Sequence, residues 1–405
     1  MAMDGKELVE KLAKLSQVQS IKDIPQLTHA LFPGTHCPLM GAAMAVGGIK
    51  DSLIVVVGTD ECTYYTKSMT IHSEKFGGID GRCVSVVLDD HDVTFGSAEK
   101  VQGAFKEIIE EYRPQCVFLV TTCVIEIIGD DFDAISEGLS ELYGIPVLPV
   151  HTEHFKCEDH LPGLERTITV CAEMMKSCDC DNSVNLLGQR MGDFATTELY
   201  AMLQKAGVKI GLQLPCGCSV DDIKNAAAAK VNIVVNDIAL PLAQKMQEKF
   251  GIPYVYFNKF VIPEKIYEAY KNLFGYLELE LPGELEGLYQ NAREKIEKNK
   301  GELEGITYIY GNTPYAVFEM NCFLSSLGMV PQVIQTNRYT EADEPYAKEI
   351  LQYTDPYVCK AANIAPLQYV YDVLSPYLYL GHEFGNRLRL SLIHISEPTR
   401  LGMIS

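Results

Sequence analysis

The stretch "FLVTTCVIEIIGDD", residues 118–131, joins the end of a buried strand to the start of a helix. Its first residues are apolar and β-branched, which favours a strand, and Gly129, Asp130 and Asp131 then open a helix. Cys123 stands at the point where the strand should end. Ligands of open parallel sheets bind beyond the carboxyl ends of the strands, so the position of this thiol indicates a binding role.

The rest of the chain repeats this alternation of strand and helix in three sets. Near-continuous apolar strands between helices are typical of parallel sheets that are covered on both faces. We therefore predict an α/β fold of three Rossmann-like domains with parallel four-stranded sheets flanked by helices, the third domain being incomplete. The predicted strands are 53–58, 83–88, 116–122 and 146–151 in the first set, 183–188, 208–214, 231–236 and 253–258 in the second, and 306–311, 330–336, 357–360 and 377–382 in the third.

The same pattern gives the expected domain boundaries. The residues after about 389 fit no continuation of the fold, because "LSLIHISEPTR" looks like the translated read-through of a sequencing-library adapter. We expect the native chain to continue in another way. The predicted parts are an N-terminal helical segment at 1–30, the first Rossmann-like domain at 31–180, the second with a linker helix at 181–300, the truncated third at 301–389 and a non-native tail at 390–405.

The composition limits the partners and the compartment. A net charge of -20 over 405 residues, without a cluster of Lys and Arg, argues against a nucleic-acid partner. The N-terminus lacks the apolar core of a signal peptide, and no run reaches the roughly 18 apolar residues that span a bilayer, so we expect a cytoplasmic protein without membrane contact. In that reducing compartment, metal ligation, redox chemistry or burial explains the 13 cysteines better than disulfides do.

Two further cysteines have positions that resemble that of Cys123. Cys62, in "GTDECTYYTK", follows the first predicted strand closely, and Cys37, in "GTHCPLMGAAMAVGGIK", precedes a helix of small residues that can approach its neighbours. Three thiols can thus converge on one edge of the first domain. Their spacing alone is a weak signal, since scattered cysteines are more often buried apolar residues.

The sequence around these cysteines is more specific than their spacing. "CPLMGAAMAVGGIK", "GTDECTYYTK", "DDHDVTFGSAEKV" and "TTCVIEIIGDD" resemble, in order and spacing, the segments around the cluster cysteines of nitrogenase component 1 subunits and their relatives. That superfamily includes catalytic molybdenum-iron proteins, cofactor-assembly scaffolds, the dark-operative protochlorophyllide reductase and a reductive cyclase of nickel-tetrapyrrole synthesis. The resemblance covers about residues 25–389 in domain pattern and is specific over 31–131.

The resemblance implies a metal centre and two kinds of partner. Cys37, Cys62 and Cys123 match the three cysteines that bind an iron–sulfur cluster at a subunit interface in this superfamily. The expected cofactor is a 4Fe-4S cluster or a larger interface cluster, and three thiolates leave one corner of a cubane for a second subunit. The implied partners are a second component 1 subunit, identical or paralogous, and an ATP-dependent iron protein that donates electrons.

Two positions bear on how far the resemblance extends. Catalytic nitrogenases hold their molybdenum-iron cofactor with a cysteine at the end of a second-domain strand, where this chain has Asn236. A nitrogenase-type cofactor bound in the usual way is therefore not expected, and a second metallocofactor or a tetrapyrrole in the interdomain cleft stays open. After the second strand, a carboxylate from Asp89, Asp90 or Asp92 is a candidate cluster ligand, and capping of the next helix by Asp90 or Asp92 is the alternative.

A first group of candidate cleft or second-metal residues lies at the end of the first domain. "HTEHFKCEDH" places His151, His154, Cys157 and His160 three residues apart, which on a helix would form a stripe of ligand-type side chains. The prolines on either side favour a loop equally well. The alternative to a metal or substrate site is a set of polar residues that line the cleft.

A second candidate group follows a strand of the second domain. Cys216 and Cys218, in "LPCGCSVDDIKNA", lie at a carboxyl edge, where they would face the central cleft, and Ser219 with Asp222 forms a capping pair after them. Loop packing is the alternative for both thiols. Of the other cysteines, we expect Cys178 and Cys180 to be exposed and Cys83, Cys116 and Cys322 to lie in the core.

The leading interpretation is an enzyme subunit, a nitrogenase-like reductase. It would accept electrons from the ATP-dependent iron protein through the interface cluster and pass them to a substrate or cofactor in the cleft between domains. The alternative is a scaffold for the assembly of a nitrogenase-type metallocofactor. A cluster-free interaction protein of the same fold is a third interpretation.

Overall fold

The computed structural model describes residues 4–27, 37–71, 82–157, 159–189, 194–257, 261–311, 316–360 and 364–381. Two compact units are distinguished by their internal contacts. The larger unit comprises Thr35–Asn258 and Ala269–Pro282, and the smaller unit comprises Met1–Gly34, Lys259–Glu268 and Gly283–Ser405. The first two predicted sheets lie in the larger unit, and the third lies in the smaller unit. The division into three domains at the predicted boundaries stays a prediction.

The described strands and helices alternate along the chain. The strands are β1 Ala13–Lys14, β2 Ile49–Lys50, β3 Ser52–Gly58, β4 Cys83–Val87, β5 Cys116–Thr121, β6 Val147–Val150, β7 Val184–Gln189, β8 Ile210–Pro215, β9 Cys218–Ser219, β10 Val231–Val234, β11 Tyr254–Tyr256, β12 Thr307–Tyr310, β13 Val330–Gln335, β14 Tyr357–Cys359 and β15 Leu378–Leu380. The helices are α1 Gly5–Glu10, α2 Pro38–Gly47, α3 Asp60–Ile71, α4 Asp90–Phe95, α5 Ala98–Tyr112, α6 Cys123–Ile128, α7 Phe132–Tyr143, α8 Leu161–Val170, α9 Glu198–Lys205, α10 Val220–Lys224, α11 Leu240–Phe250, α12 Pro263–Leu277, α13 Glu284–Leu303, α14 Val317–Ser326, α15 Glu344–Ile350 and α16 Ile364–Leu374. Within the described ranges, no helix has both the length and the apolar character that crossing a membrane requires.

The first sheet has the strand order β4-β3-β5-β6, and all its strands are parallel. Every residue of β3 and β5 is buried, which explains why both strands read as continuous apolar runs. Leu53, Val55 and Val57 point to one face and pack with Phe105 of α5 and Leu139 of α7. The helix α2 packs against β3, β5 and α8.

The second sheet has the order β11-β10-β7-β8, which is the same topology as the first. The two sheets are connected within the larger unit by a short parallel pair, β2 with β9, in which Ile49 pairs with Cys218. A Cβ on Gly48 would lie 2.0 Å from the Pro215 carbonyl oxygen, so this connection is a backbone contact that needs glycine.

The third sheet has the order β1-β14-β13-β12-β15, with four parallel strands and β1 antiparallel at one edge. The N-terminal residues were expected to form a helical segment of their own, and this expectation is wrong for residues 13–14. The helix α1 ends at Glu10, because the next residues extend and pair with β14, and Leu15 N then donates to the Pro356 carbonyl at 2.9 Å.

The predicted linker helix is confirmed, and other helices and turns follow from their local sequence. The stretch "AEKVQGAFKEIIEEY" is the helix α5 from its first residue to its last, and the charged linker is the largely exposed helix α13. In both "YGIPV" and "FGIPY" a glycine ends a helix in the left-handed region, Gly144 at φ 67° and Gly251 at φ 73°. Cys83, Cys116 and Cys322 are buried, and Cys178 and Cys180 are exposed.

Candidate metal centre

The first sheet places two of the predicted cysteines at its topological switch point. The strand order changes direction between β3 and β5, and ligands of doubly wound sheets bind beyond the carboxyl ends of the strands at such a point. Cys62 lies in the first turn of α3, which follows β3, and Cys123 is the first residue of α6, which follows β5. Both thiols are half-buried, and the Cys62 sulfur accepts a hydrogen bond from Thr59 Oγ1 at 3.5 Å.

Contacts between the ends of β3 and β5 fix the backbone before Cys123. Thr122 Oγ1 donates to the Val57 carbonyl at 2.9 Å. A Cβ on Gly58 would lie 2.1 Å from Thr122 Oγ1, so the close approach of these two residues needs glycine at position 58. The strand ends are therefore tied together next to the residue that carries the thiol.

The helix α2 places Cys37, its N-cap residue, near the same edge of the sheet. This helix is buried along almost its whole length and crosses the start of α8 in backbone contact. A Cβ on Gly41 would lie 1.9 Å from the His160 carbonyl oxygen, and one on Gly163 would lie 1.8 Å from the Pro38 carbonyl oxygen. The prediction that small residues let this helix approach its neighbours closely is confirmed.

The three thiols are close enough to interact electrostatically. Burial raises the pKa of the Cys123 thiol, and the negative charges of Cys62 and Cys37 raise it further. The backbone N–H groups of Val124 and Cys123 itself act in the opposite direction and lower this pKa. Thiols from three separate elements thus lie near one edge of the first sheet.

The sulfur atoms of Cys37, Cys62 and Cys123 are not gathered as closely as the ligands of a single metal ion. Two thiolates on one tetrahedral zinc ion, at about 2.3 Å each, lie about 3.8 Å apart. Among the described residues, only Asp89, His91 and Asp92 bring three metal-ligand atoms within 4.8 Å of one another. At least one pair of the three cysteine sulfurs is therefore more than 4.8 Å apart, so the three thiols are not arranged as ligands of a single tetrahedral ion.

The carboxylates after β4 are engaged in structural contacts. Asp89 is the N-cap of α4 and accepts from the N–H groups of His91 and Asp92, and Asp92 accepts in return from the Asp89 N–H. Lys100 Nζ lies 2.9 Å from Asp89 and 2.6 Å from Asp92. Capping was expected from Asp90 or Asp92, and the helix starts one residue earlier than that, so Asp89 is the cap.

The residues 151–160 do not form a helical stripe. They form an extended segment and a short 3-10 helix, His154–Lys156, with residue 158 outside the described part. His151 Nε2 lies 3.1 Å from Asp133 Oδ1, and the Cys157 sulfur donates to the Glu153 carbonyl at 3.2 Å. The ligand atoms of His151, His154, Cys157 and His160 contain no group of three that lies within 4.8 Å.

Glu126, which lies one helical turn after Cys123, was not predicted from the sequence as a functional residue. Its carboxylate accepts hydrogen bonds from Thr121 Oγ1, Thr152 Oγ1 and the backbone N–H groups of Glu153 and His154. One sequence signal was available: Glu126 lies three residues after Cys123, which places both side chains on one face of the helix α6. Its partners are far along the chain, so the contact itself is visible only in the fold.

The two thiols after β8 have different environments. Cys218 lies in β9 and is 2% exposed, and burial raises its pKa to about 12. This burial contradicts the expectation that Cys218 faces a cleft. Cys216 is half-buried. The predicted capping pair is confirmed, since Ser219 Oγ accepts from Asp222 N at 3.2 Å and donates to Asp222 Oδ2 at 2.7 Å.

Asn236, which the sequence resemblance matches to the cofactor cysteine of catalytic nitrogenases, caps a 3-10 helix just after β10. Its side-chain oxygen accepts from Ile238 N at 3.2 Å, and the residue is 8% exposed. A Cβ on Gly188 would lie 2.9 Å from the Asn236 Cβ, so the ends of β7 and β10 pack tightly around it. The residue has a structural role in the second sheet.

Residues 37–399 match the protein family described as nitrogenase component 1 type oxidoreductase. The chain belongs to this family. The match runs into the stretch 390–405, which lies outside the described residues.

Individual relatives agree with this assignment. The chain is 31% identical over 224 residues to a nitrogenase iron-molybdenum cofactor biosynthesis protein NifE of Clostridium pasteurianum, which covers 54% of this chain and 49% of the relative. It is 24% identical over 330 residues to a nitrogenase molybdenum-iron protein alpha chain of Methanosarcina barkeri, covering 78% of this chain and 62% of the relative. The matched part thus spans about half to two thirds of the length of these relatives.

A solved structure titled "Nitrogenase Cp1 at pH 6.5" has the same fold. The TM-score is 0.70 at 14% sequence identity, and the alignment covers 91% of this chain and 89% of the other. The predicted α/β fold and the membership of the nitrogenase component 1 superfamily are confirmed.

Proposed function

We propose that the protein is a nitrogenase-like reductase subunit that binds an interface iron–sulfur cluster through Cys37, Cys62 and Cys123. The cluster accepts electrons from an ATP-dependent iron protein and passes them to a substrate or cofactor held elsewhere in the assembly. The observation that carries the proposal is the convergence of three thiols from α2, α3 and α6 on the switch point of the first sheet.

The chain's own residues hold and tune the bound group. Three thiolates bind iron, and the N–H groups that donate to the Cys123 sulfur disperse its negative charge, which favours the reduced state of a cluster. When it is bound, the cluster supplies one-electron transfer. Three thiolates leave one corner of a cubane to a ligand from another chain, so the active form is at least a dimer with an identical or paralogous subunit.

Exposed apolar side chains support an interface at this edge. Large exposed side chains follow every strand of the first sheet, among them Tyr64 after β3 (73% exposed), Phe95 after β4 (76%), Ile127 after β5 (72%) and Phe155 after β6 (68%). Exposed aromatic and aliphatic groups grouped at one edge are typical of surfaces that bind other proteins. Both proposed partners, the second subunit and the iron protein, need access to this edge.

The experiment is electron entry into the reconstituted protein. Anaerobically reconstituted protein is mixed with an ATP-dependent iron protein, and reduction of the cluster is followed by electron paramagnetic resonance with ATP and without it. We expect reduction only with ATP, and no cluster signal in Cys123→Ala. A cluster that is reduced equally well without ATP contradicts the reductase proposal.

A second candidate function is a scaffold for metallocofactor assembly. It is favoured by the likeness to cofactor biosynthesis proteins of the NifE type. A scaffold releases a bound metallocofactor to an acceptor protein, whereas a reductase consumes electrons and substrate over many turnovers. Metal analysis of the protein purified anaerobically with its neighbours, before and after mixing with acceptor, separates the two functions.

A further inference from the structure

The helix that carries Cys123 is too short to fix its own orientation. It has six residues, and helices of this length are marginal without tertiary contacts. Ile125 is its buried residue, and Ile127 is 72% exposed. The position of the Cys123 thiol therefore depends on a further contact that anchors α6 to the rest of the larger unit.

Glu126 supplies that contact through both carboxylate oxygens. Its Oε1 accepts from Thr121 Oγ1 at 3.0 Å, from Thr152 Oγ1 at 2.9 Å and from the Glu153 N–H, and its Oε2 accepts from the His154 N–H at 3.1 Å. Thr121 ends β5, and the other three donors belong to the loop that follows β6. One carboxylate thus joins the ligand helix to the ends of two neighbouring strands.

The loop that receives Glu126 is itself held from the opposite side. Arg166 of α8 donates to the Thr152 and His151 carbonyls and forms an ion pair with Glu153. Glu153 has φ 44°, a left-handed conformation that is strained for a non-glycine residue. Glu126 binds its N–H group and Arg166 binds its carboxylate, so both contacts hold the loop in this conformation.

We propose that Glu126 is a positioning residue for the metal centre, which fixes α6 and the Cys123 thiol against the loop 151–157. The inference rests on the proposed function, in which Cys123 is a cluster ligand. From its sequence, the segment with His151, His154 and Cys157 was a candidate metal or cleft site. In this proposal the loop instead anchors the helix that carries Cys123. A carboxylate is suited to this role because it accepts several hydrogen bonds and donates none.

The test measures the Cys123 thiol in the protein without its cluster. Anaerobic, reduced protein is treated with iodoacetamide, and mass spectrometry of peptides gives the alkylation rate of each cysteine. We compare Glu126→Ala and Glu126→Gln with Glu141→Gln, which replaces an exposed glutamate of α7. We expect iodoacetamide to alkylate Cys123 about tenfold faster in Glu126→Ala than in wild type. In this variant two backbone N–H groups and two hydroxyls lose their acceptor, so α6 is held less firmly and its thiol is more accessible.

Glu126→Gln should have a smaller effect. Its remaining oxygen still accepts from three donors, while its amide faces the His154 N–H and cannot accept from it. The Cys62 rate should stay within about twofold of wild type in every variant, because Cys62 lies on a different helix. Iron content after reconstitution should fall in the order wild type, Glu126→Gln, Glu126→Ala.

Two outcomes overturn the inference. One is an equal Cys123 rate in Glu126→Ala and Glu141→Gln. The other is an equal acceleration at Cys62 and Cys123, which indicates general loosening instead of positioning. A failure of the proposed function is distinguished by a different measurement: Cys123→Ala would then keep the iron content of wild type. The alkylation rates do not depend on that result, because they are measured on protein without a cluster.

Discussion

Replacement of Gly41 tests whether the contact between α2 and α8 sets the position of Cys37. The two helices touch through glycine backbones, and a Cβ at position 41 would lie 1.9 Å from the His160 carbonyl oxygen and 2.7 Å from Leu164 N. Both neighbours are backbone atoms, so no side-chain rotation can relieve the overlap. In Gly41→Ala the helix α2, which begins directly after Cys37, must move away from α8.

The size of the effect follows from this geometry. An ordinary Cβ contact begins at 3.4 Å, so the change from 1.9 Å requires a movement of about 1.5 Å. Overpacking of this kind costs up to about 3 kcal/mol, and the better helix propensity of alanine offsets about 1 kcal/mol of that. A net loss of about 2 kcal/mol lowers the unfolding temperature by about 4–8 °C in a unit of this size.

The assay compares Gly41→Ala with Gly103→Ala. Gly103 lies inside α5, and a Cβ there would have no neighbour within 4 Å. Gly103→Ala should therefore increase the free energy of unfolding by about 0.5–1 kcal/mol and raise the unfolding temperature slightly. Calorimetry gives the unfolding temperatures of both variants. Iron analysis after reconstitution gives the effect on the metal site, and we expect a lower iron content only in Gly41→Ala. Equal unfolding temperatures in the two variants would refute the argument.

Three further predictions concern charge, the other thiols and assembly. The hydrogen bond from Lys100 lowers the pKa of Asp89 to about 2. The ionised Asp89 therefore stabilises the fold above its ordinary pKa of 3.8, and this stabilisation is lost as the pH falls from 3.8 toward 2. In Lys100→Met the unfolding temperature, measured by calorimetry, should fall less steeply over this pH range. Cys216→Ala and Cys218→Ala should keep the iron content of wild type, and a substantial loss of iron in Cys216→Ala would show that this thiol is a ligand. The reconstituted protein should sediment as a dimer or larger in analytical ultracentrifugation, alone or with its paralogue, and a monomer with a complete cluster would contradict shared ligation.

The parallel sheets were predictable because each strand is a local signal. The residues of β3 and β5 are buried on both faces, so their sequences are continuous apolar runs that end where the strands end. Glycine at the ends of α7 and α11 marks those ends for the same local reason. The predicted cysteine site followed from the rule that ligands bind at carboxyl edges, together with the resemblance of the surrounding segments.

The features that were missed depend on residues far apart in the chain. The pairing of β1 with β14 joins residues 13–14 to 357–358, and no local pattern in the N-terminal segment indicates it. The sequence of residues 151–157 left a helix and a loop equally open, and Glu126 and Arg166 hold the segment as a loop through contacts from two other elements. Burial of Cys218 likewise results from the pairing of β9 with β2.

The most direct measurement of the central claim is the number of iron and sulfide ions per chain after anaerobic reconstitution. It is made on wild type, on Cys37→Ala, Cys62→Ala and Cys123→Ala, and on Cys178→Ala as a control for an exposed thiol. Each of the first three variants should lose most of its iron and sulfide together, while Cys178→Ala should keep the wild-type content. Full iron and sulfide in any of the three would contradict a cluster bound by these cysteines.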